Sequence, residues 1–222
     1  MSTPIRNILI LGPQGSGKGT QASLLAGRFK LAHIETGKIF RSMAKGQTAL
    51  GRRIHYLVNT KGSLIPDALV IRILEKALRR VKKTQGIVFD GFPRTITQAR
   101  ALTRLFNKFG RRLTTVIDMP ISRATTVRRL SLRRTCVECN RIFIAGVNVP
   151  LKGTVCPSCG GQIIQREDDK PQAIARRLAS YTRLTKPVIL YYKKMGILVR
   201  VDGEPPVKAV FKNILKLFSA HD

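Results

Sequence analysis

The stretch Ile8-Leu9-Ile10-Leu11-Gly12-Pro13-Gln14-Gly15-Ser16-Gly17-Lys18-Gly19-Thr20 decides the fold. Its four leading apolar residues read as a buried strand. The run that follows, Gln21-Ala22-Ser23-Leu24-Leu25-Ala26, reads as the start of a helix. A glycine-rich turn between strand and helix is the physical form of a phosphate-binding loop. Its glycines let backbone N–H groups converge on an anion, and the helix N-terminus adds a favourable dipole. Lys18 is placed to reach outer phosphates as a mobile point charge. The spacing G-x-x-x-x-G-K is complete, but Gly19 stands where the general motif has Ser or Thr, and Thr20 supplies the nearby hydroxyl. A flexible turn that merely contains a lysine is the blander alternative.

Working outward, further apolar runs read as strands at Leu31–Glu35, Ile87–Asp90, Thr115–Met119 and Leu198–Asp202. With Ile8–Leu11 they make five, and helix-like segments alternate with them, which predicts an α/β fold with a five-stranded parallel sheet. Pro66 and Asp67 open one helix, and residues 96–109 and 171–194 carry helical periodicity. Val207, Val210, Phe211, Ile214, Leu215 and Phe218 recur at helical spacing, a stripe expected to pack on the sheet rather than on a membrane surface. Two segments interrupt the alternation. Residues 36–65 are helical and polar, and 134–166 hold the cysteines with several Gly and Pro; both read as insertions into one core.

The 222 residues are 43% hydrophobic, enough for one sizeable core. No run approaches the ~20 apolar residues of a membrane span, and the first residues lack the form of a signal peptide. Lys and Arg number 41 against 12 Asp and Glu, for a net charge of +29. Such an excess predicts attraction to polyphosphates, nucleic acid or anionic surfaces, and says nothing of fold. His33, His55 and His221 are scattered, and each reads as a surface or packing residue.

Cys136-x-x-Cys139 and Cys156-x-x-Cys159 are sixteen residues apart. Two such knuckles can surround one tetrahedral zinc with four thiolates, a closed structural site without an open position for catalysis. Gly160-Gly161 suits the tight turn that aims N–H groups at sulfur. Redox disulfides or four free thiols would use the same residues, and iron is the other metal such a set holds.

Phosphoryl transfer needs in-line positioning and a sink for charge, tasks suited to arginines and hydrated magnesium. Arg41, Arg94, Arg129, Arg133, Arg166 and Arg177 are available, although spacing alone does not separate them from a solvated basic face. Asp90 is better marked. It ends an apolar strand before Gly91-Phe92-Pro93-Arg94, in the crevice where open α/β sheets bind ligands, and could hold magnesium through water.

Taken together these residues resemble the adenylate kinase family, in its long-lid form with a zinc-binding lid. The resemblance runs in order through the Gly-x-Gly-Lys-Gly-Thr loop, Thr36-Gly37 with Arg41, Asp90-Gly91-Phe92-Pro93-Arg94-Thr95 with Gln98, and Arg129 with Arg133. It continues through the four cysteines, Arg166-Glu167-Asp168-Asp169, Arg177 with Tyr181, and Val201-Asp202-Gly203. It implies a P-loop core at 1–35, 66–126 and 167–222, a segment at 36–65 closing over the monophosphate, and a lid with the zinc site at 127–166. By the same resemblance Lys18, Arg94, Arg129, Arg133, Arg166 and Arg177 surround the migrating phosphoryl group, with Asp90 toward magnesium. Gly15, Ser16, Gly17, Lys18, Gly19 and Thr20 bind ATP together with Arg129, which stacks near adenine, and Arg133. Arg41, Arg94, Arg166 and Arg177 grip AMP; Thr36, Gly91 and Gln98 line its adenine end, and Gly37, Leu64 and Ile65 complete its site. Asp168 and Asp169 orient the arginines at the lid hinge.

Two departures stand out. Lys38 follows Thr36-Gly37 where the family usually has Asp, which leaves magnesium to Asp90, and Ala175 replaces a residue that is basic in many relatives. The reading is a magnesium-dependent cytoplasmic monomer catalysing ATP + AMP ⇌ 2 ADP, with contact to nucleic acid through the basic surface. A kinase for another nucleoside monophosphate, or a nucleic-acid-associated basic zinc protein with secondary kinase activity, are the alternatives.

Overall fold

The computed structural model describes residues 5–57 and 64–219. The chain runs through β1 (Asn7–Leu11), α1 (Lys18–Phe29) and β2 (Ala32–Glu35), then leaves the sheet for α2 (Thr36–Lys45) and α3 (Ala49–His55). It returns through α4 (Asp67–Arg79), β3 (Ile87–Asp90), α5 (Ile96–Lys108), β4 (Thr115–Asp118) and α6 (Arg123–Ser131). Three short strands follow: β5 (Arg133–Cys136), β6 (Ile142–Ile144) and β7 (Ile163–Ile164). A 3-10 turn at Glu167–Asp169 leads to α7 (Pro171–Ser180), a π-turn at Tyr181–Thr185, α8 (Lys186–Lys194), β8 (Leu198–Arg200) and α9 (Val207–Ser219). Part of the 36–65 segment, residues 58–63, lies outside the described residues, as does His221.

The main sheet has the order β2-β3-β1-β4-β8, and every pairing is parallel. β1 is central and buried along its whole length, which is why its sequence is continuously apolar instead of alternating. Its side chains go alternately to two layers. Leu9 and Leu11 join α4, α5 and α8 through residues such as Leu74, Phe106 and Tyr192. Ile8 and Ile10 join α1 and α9 through Leu25, Val210 and Ile214. The C-terminal stripe packs on the sheet through Val210, Ile214 and Phe218; Val207, at the start of α9, is exposed.

The expected strands and helices are present with shorter ends: β4 stops at Asp118 and β8 at Arg200. The 171–194 periodicity covers two helices, because the ladder widens at Tyr181–Thr185, where the Lys186 N–H reaches back to the Tyr181 carbonyl. Pro187 lies just beyond and has no N–H to continue the α-helical pattern. Strands β5, β6 and β7 form a separate antiparallel sheet within the cysteine segment, ordered β6-β5-β7. No helix among the described residues is long and apolar enough to cross a membrane.

The α9 packing gives a contrast within one helix. Ile214→Ala, at a position with no exposure, is expected to lower stability by about 2–5 kcal/mol. Val207→Ala should stay within about 0.5 kcal/mol. Denaturant midpoints for the two variants check this; equal shifts would mean that α9 does not dock as described.

Candidate functional site

The parallel register carries two carboxylates to the mouth of the P-loop. Ile10 pairs with Asp90 on one side and Leu11 with Asp118 on the other, so the loop leaves β1 between them. Gly17 caps α1 with φ 86°, a left-handed conformation that aligns the loop with the helix start. Gly19 explains the departure from the general motif. A Cβ there would stand 2.9 Å from an Asp90 carboxylate oxygen, so a serine or threonine would require that carboxylate to move. Thr20 is exposed.

Lys18 folds over its own loop and donates to the Pro13 carbonyl at 2.6 Å. Burial pulls its pKa from 10.5 down to about 8; Asp90 opposes the fall, and Arg94, Arg177 and Arg133 reinforce it. Asp90 moves the other way, raised by burial and by Glu35 against the pull of Lys18 and Arg94. Asp118 is buried and also raised, with Arg200 distant at 3.9 Å.

Three arginines converge on one pair of aspartates. Arg133 makes a bidentate pair with Asp169 at 2.7 and 2.5 Å, and Arg166 makes one with Asp168 at 2.8 and 2.6 Å. Arg177 donates to the Asp168 carbonyl at 2.7 Å and reaches both carboxylates at 3.2 and 3.3 Å. Asp169 has no solvent exposure. Burial opposes ionisation of Asp168, but Arg177 and Arg166 outweigh it and hold the carboxyl at about 2. Burial lowers Arg177 to about 10, with Asp168 resisting. Arg94, its pKa lowered by burial, is steadied by the Gly91 carbonyl at 2.9 Å. Arg129 lies apart from these, its guanidinium held by the carbonyls of Gly15, Gly203 and Glu204.

A cleft of about 610 Å³ opens beside this cluster. Its wall includes Thr36, Gly37, Arg41, Leu64 and Ile65 together with Gly91, Arg94, Gln98, Arg166 and Arg177. Arg41 pairs with Glu35 at 2.7 Å. Gln98 is buried and fixed at both ends of its amide: its oxygen accepts from the Arg94 N–H at 2.7 Å, and its nitrogen donates to Asp67 at 2.7 Å. Asp67 also accepts from the Thr95 hydroxyl at 2.9 Å. Lys45, at the end of α2, donates to the Val137 carbonyl between the first two cysteines, so the α2 segment and the cysteine segment meet over the cleft.

Sequence reasoning missed Asp67, Asp118 and Glu35. For Asp118 the signal existed, since Val116-Ile117-Asp118 ends in a carboxylate as Val88-Phe89-Asp90 does. His55, read as surface or packing, stands on the cleft wall. Lys38 is exposed on α2, and the charges that bear most on Asp90 are those of Lys18, Glu35, His33 and Arg94.

The four cysteines form one cluster. All four sulfurs lie within 4.8 Å of one another, with Cys136–Cys159 at 3.6 Å and Cys139–Cys156 at 3.7 Å. A disulfide would bring sulfurs to about 2.05 Å; the observed separations are those of four unbonded sulfurs and are compatible with a tetrahedral thiolate site. The Ser158 N–H points at the Cys156 sulfur at 3.4 Å. Among the described residues, Phe143, Val149 and Ile163 form a small buried apolar group with Cys136 and Cys156.

Comparison with known proteins agrees with this geometry. The adenylate kinase family model matches residues 10–197. The chain belongs to the adenylate kinase family. It is 39% identical over 209 residues to the adenylate kinase of Caldanaerobacter subterraneus subsp. tengcongensis, covering 94% of each chain. It is 40% identical over 209 residues to that of Caldicellulosiruptor saccharolyticus, covering 94% of this chain and 97% of the relative. With the adenylate kinase of Methanocella arvoryzae it shares 40% identity over 206 residues, covering 93% of this chain and 95% of the relative.

The aspartate pair generates a test. Asp169→Ala leaves the largely covered Arg133 without its partner and should cost about 3–5 kcal/mol. Thermal melting checks this, and a melt unchanged from wild type would mean that the pair does not brace the cluster.

Proposed function

We propose that this chain catalyses magnesium-dependent phosphoryl transfer between ATP and AMP, ATP + AMP ⇌ 2 ADP, as a cytoplasmic monomer. The observation that carries the reading is the convergence of Lys18, Arg94, Arg133, Arg166 and Arg177 beside one cleft, braced by Asp168 and Asp169. A surplus of buried cations at a P-loop suits a chain of phosphates and little else.

In this reading the P-loop N–H groups from Gly15 to Thr20 and Lys18 hold the ATP phosphates, and Arg129 flanks the adenine end. Arg41 and Arg94 hold the AMP phosphate, with Thr36, Gly91 and Gln98 beside its base. Asp67 acts through Gln98, locking the amide in one orientation. Arg133, Arg166 and Arg177 then face the charge that spreads over the migrating group. The 36–65 and 127–166 segments close the cleft and exclude water, which keeps ATP from hydrolysis.

Magnesium fits the donor set, because Asp90 offers a carboxylate at the P-loop mouth and Gly19 leaves it room. Bound there through water, the ion would neutralise charge on the ATP phosphates. Zinc fits the four thiolates, in a closed set that leaves the metal a structural task.

Two experiments test this reading. A coupled assay with ATP and each nucleoside monophosphate should show AMP as the preferred acceptor. Lys18→Ala and Arg94→Ala should each lower turnover by about 10³-fold or more. Near wild-type rates in either variant, or preference for another monophosphate, would overturn it. For the metal, elemental analysis should find one zinc per chain, and chelation or Cys156→Ser should lower the melting temperature, since metal binding is partly folding energy. A metal-free protein with unchanged melting would contradict the structural role.

A further inference from the structure

The nucleotide chemistry uses the carboxyl edge of the main sheet. The amino edge lies at the other end of each strand, and the parallel topology brings four helix-to-strand returns to it. Following the sheet order, these are residues 28–31 before β2, 79–86 before β3, 108–114 before β4 and 193–197 before β8. The first three are knitted together. Gln85 donates to the Lys30 carbonyl at 3.1 Å, and Arg111 donates to the carbonyls of Gln85 and Lys82 at 2.8 and 2.7 Å. The fourth joins through the Val116 N–H on the Ile197 carbonyl at 2.8 Å.

These four segments contain no Asp or Glu. Each carries exposed cations: Arg28 and Lys30 in the first, Arg79, Arg80, Lys82 and Lys83 in the second, Lys108 and Arg112 in the third, and Lys193 and Lys194 in the last. Glu75 reaches this end of the molecule, and it is already shared by Arg79 and Lys108 at 3.0 and 2.9 Å. Cations in the last turn of a helix complement its dipole, which accounts for some of the row. It does not account for Lys30, Lys82, Lys83 and Arg112, which lie beyond the helix ends. By contrast Asp90 and Asp118 end β3 and β4, and Asp202 and Glu204 follow β8, all at the carboxyl edge.

The row spans five strands, about 19 Å at the usual strand spacing. A nucleic-acid duplex presents about one negative charge per 1.7 Å of axis, so roughly eleven lie along such a length, part of them on the near side. A single strand would call for exposed aromatic rings on which bases stack. The aromatic residues of these segments, Phe29 and Phe109, are half-buried, and Phe29 is packed against Phe218 and Arg6. Among the described residues, the exposed apolar side chains near the edge are Ile5 and Met195, too few to anchor a bilayer contact.

We propose that the amino edge of the sheet is a docking surface for duplex nucleic acid, held through its phosphates and independent of sequence. Because it lies opposite the cleft, the kinase site stays open while the duplex is bound. The test measures fluorescence anisotropy of a labelled 20-base-pair duplex over a salt series. Two quadruple variants remove equal charge. One carries Arg80→Glu, Lys82→Glu, Arg112→Glu and Lys193→Glu at the amino edge; the other carries Arg123→Glu, Lys152→Glu, Lys186→Glu and Lys208→Glu elsewhere. Both should keep wild-type turnover and melting. The wild type should bind with affinity falling steeply in salt, and the amino-edge variant should lose more than about tenfold at fixed salt with a shallower slope. The second variant should lose no more than about threefold, and ATP should not displace the duplex. Equal losses in the two variants would overturn the proposal, as would absence of binding at low salt, displacement by ATP, tighter binding of a single strand of equal length, or a preference for anionic vesicles over the duplex.

Discussion

The Asp168–Asp169 pair is the constraint on which the site depends. Two adjacent carboxylates, one wholly buried, hold three guanidinium groups from three different parts of the chain. Arg133 comes from β5, Arg166 from the end of the cysteine segment and Arg177 from α7 after it. Bidentate geometry fixes the planes of two of them, which a lysine could not reproduce. The same pair thus ties the cysteine segment to α7 and aims the cations. Two negative charges face three positive ones there, and Lys18 and Arg94 add two more cations nearby against Asp90. The balance is left short of negative charge, and phosphates can supply it.

The parallel sheet makes that arrangement natural. All its strands point one way, so side chains at their carboxyl ends meet in one crevice. Asp90 and Asp118 reach the P-loop for no other reason than register with Ile10 and Leu11. The topology also sends every return loop to the opposite edge, where the chain concentrates cations without carboxylates. A net charge of +29 is therefore unevenly spent: enclosed and partly balanced at one end, exposed and nearly unopposed at the other.

Much of this was legible in the residues. The buried strand and its loop, Ile8–Thr20, gave away the sheet's centre because an all-apolar run before a glycine-rich turn has few other uses. The two Cys-x-x-Cys knuckles announced their cluster through spacing alone. The strands β5, β6 and β7 were not legible, since two to four residues each, wrapped around cysteines, show no period of their own. Nor was the π-turn at Tyr181–Thr185, because helical periodicity survives one widened turn. Asp67 escaped for a different reason. It looks like an ordinary acidic residue in the first turn of a helix, favourable for the dipole, and only the fold shows it holding Gln98. Lys38 drew attention by its place in a familiar sequence, yet it faces solvent, and Glu35 is the α2-side charge that bears on Asp90.

A cleft short of negative charge makes a definite claim about protons. Lys18 sits at about 8 before any ligand binds, and nearby phosphates favour its charged form. Between pH 8 and 9 ATP binding should therefore draw a proton onto Lys18. Titration calorimetry of ATP binding at pH 8.5, repeated in buffers of different ionisation enthalpy, reads this directly. The account predicts net proton uptake of a substantial fraction of one proton per ATP. Binding heats that do not depend on the buffer, or net proton release, would contradict it.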